Sequence, residues 1–310
     1  MKGTSFIGVG NYAQKVQDFI ERAAKTDLSL LLLGETGAGK DHVAELIHNK
    51  GDLGGRFITV DCGVLSEGLS ESELFGHARG SFTGAVNERQ GVISLATNGT
   101  LFFNEIANMS LGLQAKFLRI LEKKSFRQVG GKEEIEVKTR IITATNADLQ
   151  SLIKAGQFRE DLFHRLNLIS FTVPPLRERK EDIEHFIEYF LDGKIKISPF
   201  AKQKLLDYDY PGNVRELKHI LTRAIFNAGD NATIETENLG LDGNGFSIKK
   251  QTVVESKEID FDLDKQVETL QRTTISEALK ATKGNKSHAA ILLKIARNRL
   301  MALIKRLSLE

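Results

Sequence analysis

The chain of 310 residues contains a single cysteine, Cys62, and no long run of apolar residues. One cysteine cannot form an internal disulfide framework, so the sequence fits a reducing compartment. The purely apolar runs, such as Leu30 to Leu33, are far shorter than the ~20 residues that a membrane-spanning helix needs. The N-terminus MKGTSF lacks the apolar core of a signal peptide. We therefore expect a cytoplasmic protein with no membrane partner, in which Cys62 is a small buried residue.

The chain has 43 Lys and Arg residues and 41 Asp and Glu residues, so neither sign of charge dominates. Charged residues make up 27% of the chain and hydrophobic residues 41%, which is the balance of an ordinary globular protein of about two domains. Acidic residues are absent from Ala278 to Leu309, where eight Lys or Arg residues lie. Such a stretch is often only a solvated face, so it indicates nucleic-acid binding only when a motif accompanies it.

A glycine-rich turn joins an apolar strand to an amphipathic helix in the run LSLLLLGETGAGKD, residues 28–41. Its spacing is that of a phosphate-binding loop, in which successive N–H groups face one anion and a lysine approaches the outer phosphates. A plain loop, whose glycines serve only backbone geometry, is the disfavoured alternative. Asp41 stands where many such loops place a Ser or Thr that binds magnesium. The predicted nucleotide-binding residues of the loop are Gly34, Glu35, Thr36, Gly37, Ala38, Gly39, Lys40 and Asp41.

Strand and helix patterns alternate from Phe6 to about Leu241, which predicts an α/β domain with a parallel sheet. A nucleotide would lie at the carboxyl ends of its strands. After Pro174 and Pro175 the pattern changes to helices only, as expected for a small helical lid. The predicted strands are Leu28–Leu33, Phe57–Asp61, Thr100–Asn104, Thr139–Thr145 and Leu168–Val173, and the lid helices are Glu181–Leu191, Pro199–Tyr208 and Asn213–Asn227.

These patterns divide the chain into four parts: an α/β subdomain at 1–173, a helical lid at 174–241, a linker at 242–264 and an all-helical domain at 265–310. The linker contains glycines and mixed charges without a sustained period. In the last part, Ala289 and Ala290 stand where two helices must approach closely. The helices predicted there are Gln266–Ala281, Lys286–Leu293 and Arg297–Leu307.

A second nucleotide signature is the strand GTLFFNEI, residues 99–106, which ends in Asn104 and Glu105. Most phosphate-loop ATPases carry an acidic pair here, the first residue for magnesium and the second to polarise the attacking water. Glu105 is therefore the candidate general base. Asn104 places a neutral amide in the magnesium position. Taken alone, this strand would more often be plain core than a site, but the phosphate loop reverses those odds.

Several segments occur in an order that makes a resemblance specific. They are GETGAGKD, ELFGHARGSFTGA at 73–85, GTLFFNEI, ITATN at 142–146, FREDLFHRL at 158–166, PPLRER at 174–179 and YPGNVREL at 210–217. Over residues 5–240 the series closely resembles the AAA+ domain of bacterial enhancer-binding proteins, the activators of sigma-54 RNA polymerase. The C-terminal helices resemble the Fis-type helix-turn-helix that these activators commonly carry.

This resemblance implies roles for particular residues. Arg159 and Arg165 match arginine fingers that neutralise charge on a neighbouring subunit's ATP, although as bare residues they would be surface cations. Thr145 and Asn146 match the first sensor of the family, and Arg215 matches the second. The hairpin Ser125–Lys138 matches the family's second surface loop and is a candidate support. The sigma-factor contact loop is matched by Gly80, Ser81, Phe82, Thr83, Gly84 and Ala85.

The C-terminal motif supplies candidate DNA contacts. Arg297, Asn298 and Arg299 open the last helix and could reach base edges in the major groove. Family members usually have Gly in the turn near Lys294, so either this lysine adopts a positive φ or the turn differs. A three-helix dimerisation module with a basic face is the alternative. Lys286, Lys294 and Lys305 are better suited to phosphates, and Ser287 is a further predicted DNA-binding residue.

The resemblance implies an ATP-hydrolysing activator whose ring, expected to be a hexamer, remodels the closed sigma-54 polymerase–promoter complex. ATP and Mg²⁺ are the implied cofactors, and double-stranded enhancer DNA is the implied partner of the C-terminus. Asn104 motivates an alternative, a DNA-bound regulator that binds nucleotide but hydrolyses it poorly or not at all. A different AAA+ remodeller is disfavoured by GSFTGA. Few residues precede Phe6, so either a regulatory protein acts in trans or the chain is part of a longer protein.

Two departures from the family pattern look like a reciprocal exchange. Family members usually have Asn at the position of Asp61 and Asp at the position of Asn104. If both side chains face the nucleotide, Asp61 replaces the missing magnesium carboxylate directly or through water. In the alternative, Asn104 is simply a damaging or introduced substitution and Asp61 is incidental.

Overall fold

The computed structural model divides into two compact units, residues 1–246 and 247–310, and each is described by itself. The described residues are 6–51, 54–64, 70–82, 85, 87–229, 233–241, 271–272, 274–276, 278–279, 282 and 285–307. Thr83, Gly84 and the linker predicted at 242–264 lie outside the described residues, as does part of the helix predicted at Gln266–Ala281.

A sheet of five parallel strands forms the centre of the first unit. The strands of this unit are β1 (Leu30–Leu33), β2 (Phe57–Asp61), β3 (Gly76–His77), β4 (Arg89–Gln90), β5 (Thr100–Asn104), β6 (Ser125–Phe126), β7 (Ile135–Glu136), β8 (Arg140–Thr145), β9 (Ile169–Thr172), β10 (Lys196–Ile197) and β11 (Thr233–Ile234). The order in the sheet is β2-β5-β8-β1-β9. The five predicted strands and their parallel arrangement are thus confirmed, with small differences at their ends.

Helices cover both faces of this sheet. Successive side chains of a strand point to opposite faces, so Leu30 and Leu32 belong to one core cluster and Leu31 to the other. All three leucines are fully buried, which is why β1 has no alternation of polar residues. The helices of the unit are α1 (Asn11–Ala24), α2 (Lys40–Lys50), α3 (Ser70–Phe75), α4 (Val92–Leu95), α5 (Leu111–Lys123), α6 (Leu149–Lys154), α7 (Glu160–Leu166), α8 (Ile183–Leu191), α9 (Pro199–Asp207) and α10 (Asn213–Ala228).

The lid has its own apolar core, built around Leu205, Leu217 and the fully buried Tyr210. Its helices α8, α9 and α10 agree with the predicted ones. The expectation of helices only was wrong, because β10 and β11 pair in parallel within the lid. Two-residue strands carry too little periodicity to be recognised in a sequence.

Two small antiparallel pairs stand apart from the central sheet. One joins β3 to β4 and encloses the GSFTGA segment, and the other joins β6 to β7 as the predicted hairpin. The N–H of Val129 donates to the Gly76 carbonyl, and the N–H of Ala78 donates to the Val129 carbonyl, each at 3.0 Å. The second hairpin therefore braces the strand that leads into the GSFTGA segment.

The second unit contains α11 (Lys286–Leu292) and α12 (Arg297–Arg306), close to the predicted limits. Ala289 and Ala290 are buried between helices, as expected. Lys294 lies in the turn with φ +54°, so the lysine accepts the left-handed conformation that glycine usually supplies. Among the described residues of either unit, no helix is long and apolar enough to cross a membrane.

Candidate functional site

The loop between β1 and α2 is shaped as an anion cradle. Gly34 has φ +143°, and a Cβ there would lie 2.5 Å from the Val173 carbonyl oxygen, so only glycine fits. Gly39 has φ +105°, and a Cβ there would meet no protein atom within 4 Å. The loop therefore needs glycine for two different reasons, a close backbone approach and a left-handed turn beside open space.

Lys40 is the first residue of α2, and only 4% of its side chain is exposed. Its Nζ donates to the carbonyls of Gly34 at 2.9 Å and Glu35 at 3.2 Å. Burial lowers the pKa of Lys40, while the carboxylate of Glu105, 3.7 Å away, opposes that shift. The ammonium group is thus held across the loop, with few partners of full negative charge.

Glu105 follows β5 in a left-handed conformation, with φ +52° and ψ +54°. Its carboxylate accepts a hydrogen bond from the Asn146 N–H at 3.2 Å. The Asn146 side chain in turn donates to the Thr36 hydroxyl at 2.8 Å. The strand ends and the phosphate loop are therefore joined in one polar network. The left-handed backbone of Glu105 is strained for a residue other than glycine, and such strain is typical of functional positions.

Asp61 and Asn104 are neighbours, because β2 and β5 pair in parallel with these two residues in register. Both line a cavity of about 730 Å³ beside the phosphate loop. The Asp61 carboxylate accepts from the Gly63 N–H at 2.9 Å. The described residues contain no cluster of three or more His, Cys, Asp or Glu side chains that could hold a metal by themselves. The cavity lining is Thr36, Gly37, Gly39, Lys40, Asp41, His42, Asp61, Asn104, Glu105, Asn108, Asn146, Val214, Arg215, Lys218 and His219.

The lid contributes a basic wall to this cavity. Arg215 was predicted there, whereas Lys218 and His219 were not. These residues lie three and four positions after Arg215 on α10, so helical spacing puts them on the same face. That spacing was the signal that could have identified them.

The side chain of Glu35 is directed away from the cavity and holds the lid. Arg177 donates to both of its carboxylate oxygens, at 2.8 and 2.5 Å, and Asn213 donates to it at 3.1 Å. These hydrogen bonds lower the pKa of Glu35 to about 2. Of the predicted loop residues, Gly34, Glu35 and Ala38 do not line the cavity, although Lys40 binds the Gly34 and Glu35 carbonyls.

Arg159 and Arg165 do not line the cavity of their own chain, and both are exposed. Arg159 pairs with Asp161, with guanidinium–carboxylate distances of 3.0 and 2.6 Å. Arg165 donates to the Leu121 carbonyl at 3.0 Å. Their position is compatible with contacts to a second copy of the chain.

The described part of the GSFTGA segment forms a tight turn. The Gly80 N–H donates to the Ala85 carbonyl at 2.8 Å, and the Ala85 N–H donates to the Phe82 carbonyl at 3.0 Å. The Phe82 side chain is 40% exposed and lies edge-on against the His77 ring, at 5.0 Å between centroids. An aromatic side chain is therefore presented to solvent at this turn.

In the second unit, the side chains of the predicted DNA-contact residues are exposed. Asn285 accepts from the N–H groups of Ser287 and His288 and so fixes the start of α11. The exposed candidates are Lys286, Ser287, Lys294, Arg297, Asn298, Arg299 and Lys305.

The single cysteine takes no part in these sites. Cys62 directly follows β2 and is buried, as expected from the sequence. Burial raises the pKa of its thiol to about 12, so the thiol stays protonated.

Comparison with protein families gives two matches. Residues 6–172 match the family described as the sigma-54 interaction domain. Residues 177–252 match the AAA+ ATPase lid domain.

Relatives agree with these matches. The chain is 37% identical to the anaerobic nitric oxide reductase transcription regulator NorR of Citrobacter koseri, with 100% of this chain and 64% of that protein covered. It is 41% identical to the regulatory protein AtoC of Escherichia coli, with 90% and 62% covered. The chain thus spans a little under two thirds of these relatives.

Among solved structures, NtrX from Brucella abortus in complex with ADP superposes with a TM-score of 0.70 at 29% identity, covering 99% of this chain and 69% of that one. NtrX in complex with ATP gives a TM-score of 0.69, also at 29% identity, covering 97% of this chain and 69% of that one. The AAA+ fold expected from the sequence is confirmed by this likeness.

Proposed function

The chain belongs to the family of sigma-54 interaction domains, and from this membership we propose that it is a sigma-54-dependent transcription activator driven by ATP. In this proposal an oligomeric ring hydrolyses ATP and remodels the closed complex of sigma-54 RNA polymerase with promoter DNA. The observation that carries the proposal is a phosphate cradle in the same compact unit as an exposed GSFTGA turn.

The residues around the cavity fit a nucleotide with Mg²⁺. Gly39 leaves open space where an anion would lie, and Lys40 faces that space with its charge held by neutral carbonyls. Asp61 and Asn104 offer hard oxygen atoms of the kind that Mg²⁺ prefers, and Mg²⁺ usually takes only one or two carboxylates beside phosphates. The magnesium-bound triphosphate supplies a phosphoryl group whose transfer to water releases the energy for remodelling.

The chain's own residues perform distinct tasks in this proposal. Lys40 neutralises the outer phosphates, and Glu105 accepts a proton from the attacking water. Asn146 holds the Glu105 carboxylate through its backbone N–H and so orients the base. Arg215 lies on the lid side of the cavity and adds a guanidinium that moves with the lid.

Arg159 and Arg165 complete the site of a neighbouring subunit. They are exposed and stand outside their own cavity, which supports a role in trans. A fixed guanidinium lowers the barrier by neutralising charge that builds on the transferred phosphoryl group. Activity therefore requires a ring, which we propose to be a hexamer.

The second unit binds enhancer DNA in this proposal. Its exposed cations lie at the start of α11, in the turn at Lys294, and at the start and near the end of α12, where side chains can reach a groove and its phosphates. Signal input comes from a partner protein or from segments of a longer chain, since this chain spans only part of the length of its relatives. The domain limits 1–173, 174–241, 242–264 and 265–310 remain part of the proposal.

A second candidate function is a regulator that binds nucleotide without efficient hydrolysis. Asn104 favours it, because an amide coordinates Mg²⁺ without neutralising its charge. The register of Asp61 with Asn104 favours the first candidate, since one carboxylate still stands at the strand ends.

Binding of sigma-54 in the presence of ADP–aluminium fluoride tests the proposal. We expect Phe82→Ala to abolish binding, because Phe82 is the exposed aromatic residue of the GSFTGA turn, while Phe200→Ala, which removes an 82% exposed ring from the lid, retains it. Equal binding by the parent and both variants would remove Phe82 from the contact surface, and no binding by the parent would overturn the proposal.

A further inference from the structure

The amide of Gln114, on α5, is a fully buried polar group at the segment that carries Arg159. Its Oε1 accepts from the Arg159 N–H at 2.9 Å. Its Nε2 donates to the Met109 carbonyl at 2.8 Å and to the Gln157 carbonyl at 3.1 Å. Gln114 has 0% exposure, so water cannot reach its amide, and these hydrogen bonds satisfy the polar atoms instead. One side chain therefore fixes the backbone at both Gln157 and Arg159, where the chain turns into α7.

The far end of α5 contacts the other candidate finger. Arg165 donates to the carbonyl of Leu121, in the last turn of this helix, at 3.0 Å. Between the two polar contacts, Phe117 of α5 and Leu162 and Leu166 of α7 belong to one buried apolar cluster. Because packed interiors deform little, α5 and α7 should shift together.

The C-terminal end of α5 runs directly into the hairpin that braces the GSFTGA segment. Lys124, in a left-handed conformation, ends the helix, and its carbonyl accepts from the Val137 N–H at 2.7 Å. At the tip of this hairpin, Gly130 lies so close to Ser81 that a Cβ added to Gly130 would be 2.5 Å from the Ser81 Cβ. A displacement of α5 therefore reaches the turn that presents Phe82.

We propose that Gln114 is a positioning residue that couples the trans-acting arginines to the sigma-contact loop through α5. When Arg159 and Arg165 engage a neighbouring subunit's nucleotide, α7 shifts, Gln114 carries α5 with it, and the hairpin moves the GSFTGA segment. This inference rests on the proposed function, since it assumes a ring and a loop that contacts sigma-54.

Hydrogen exchange of the full chain, followed by mass spectrometry with and without ADP–beryllium fluoride, tests the coupling. The readout is the nucleotide-dependent change in exchange at the Ala78 and Val129 N–H groups. We expect Gln114→Met, which keeps side-chain length but loses all three hydrogen bonds, to reduce this change at least about fivefold while nucleotide affinity and ring mass stay parental. Gln150→Met, on the exposed surface of α6, makes the same chemical change and should retain the full response.

Two further comparisons separate coupling from loss of packing. Phe117→Leu reduces the apolar volume between α5 and α7 without removing a hydrogen bond. Because an apolar side chain still fills this contact, the variant should keep the response. In a background that carries both Arg159→Ala and Arg165→Ala, adding Gln114→Met should have no further effect, because Gln114 transmits the signal of these two arginines. Gln114→Asn, whose amide is one methylene too short, should reproduce Gln114→Met and replaces it if that variant does not fold.

A parental response in Gln114→Met or Gln114→Asn, or a further loss when Gln114→Met is added to the Arg159→Ala and Arg165→Ala background, would overturn the coupling. Either result would leave the proposed function intact. A parent chain that does not bind ADP–beryllium fluoride would instead refute the proposed function, and the coupling with it.

Discussion

At the scale of single residues, Lys40 and Glu105 have separable tasks. Lys40→Ala should weaken ATP binding by roughly a hundredfold, because it removes a buried ammonium group from the phosphate cradle. Glu105→Gln should bind ATP normally and lower turnover by about 10²–10⁴-fold, since an amide cannot accept the proton of water. Nucleotide titration and steady-state turnover measure the two effects. Lys50→Ala, at the exposed end of the same helix, is the control for Lys40, and parental turnover in Glu105→Gln would exclude Glu105 as the base.

The paired strand ends give a second prediction for residues. If Asp61 and Asn104 have exchanged roles, Asp61→Asn and Asn104→Asp should each impair magnesium-dependent hydrolysis, and the double variant should recover it. Their register across β2 and β5 makes such coupling expected. Turnover over a magnesium titration measures it. If Asn104→Asp alone raises turnover and Asp61→Asn changes little, the exchange is absent and the parent is an impaired ATPase.

Site residues whose position follows from short-range spacing along the chain could be predicted from the sequence. The phosphate loop and the strand ends at Asp61 and Asn104 could be predicted because backbone topology alone brings them together. Glu35 could not be separated from its loop neighbours, since its contact with Arg177 spans 142 residues. Gln114 carries no signal in a sequence, because one polar residue on an amphipathic helix does not disclose its burial.

At the scale of elements, the phosphate loop and the lid are held together by a few hydrogen bonds. Asn213 is fully buried with φ +54°, accepts from the Leu176 N–H and donates to Glu35 and to the Thr36 carbonyl. The Gly37 carbonyl accepts from the N–H groups that follow Asn213. The start of α10, which carries Arg215, therefore moves with the loop.

Loss of the Glu35–Arg177 pair should loosen this connection. We expect Arg177→Met to raise the KM for ATP more than it lowers kcat, because the lid wall of the cavity is no longer held. Glu35 has a pKa of about 2 in the fold and 4.5 as its ordinary value, so its stabilising effect is complete above pH 4.5 and is lost as the pH falls from 4.5 to 2.

Thermal unfolding of the parent and Arg177→Met across this pH range measures the effect. The parent should have the higher Tm at pH 7, and the difference should shrink as the pH falls below 4.5. Arg22→Met, at an exposed site on α1, serves as the control. A Tm difference independent of pH would show that Arg177 does not act through Glu35.

Elements with long periodic patterns were predictable, and those set by tertiary contacts were not. The strands of the central sheet are short segments rich in apolar and β-branched residues, separated by helical patterns, which identified them. By contrast, β10 and β11 pair only because the lid core brings Ile197 and Ile234 together, a contact between distant residues. The left-handed start of α10 at Asn213 likewise depends on its buried hydrogen bonds.

At the scale of the whole molecule, ATP turnover and DNA binding should be separable. Removal of residues 265–310 should leave ATPase activity intact and eliminate tight binding to enhancer DNA. Parental affinity should fall steeply with salt, because lysines and arginines that contact phosphates release counterions. Fluorescence anisotropy over a salt series measures this. Unchanged affinity of the shortened chain would place DNA recognition within residues 1–264.

The most direct test of the account is open-complex formation on a sigma-54 promoter, followed by permanganate reactivity of melted thymines. With sigma-54 RNA polymerase and ATP, the parent chain should melt the promoter. Phe82→Ala should not, although its ATPase activity stays near the parental rate, and Phe200→Ala should behave like the parent. Melting by Phe82→Ala, or no ATP-dependent melting by the parent, would contradict the claim that ATP hydrolysis acts on sigma-54 through the GSFTGA turn.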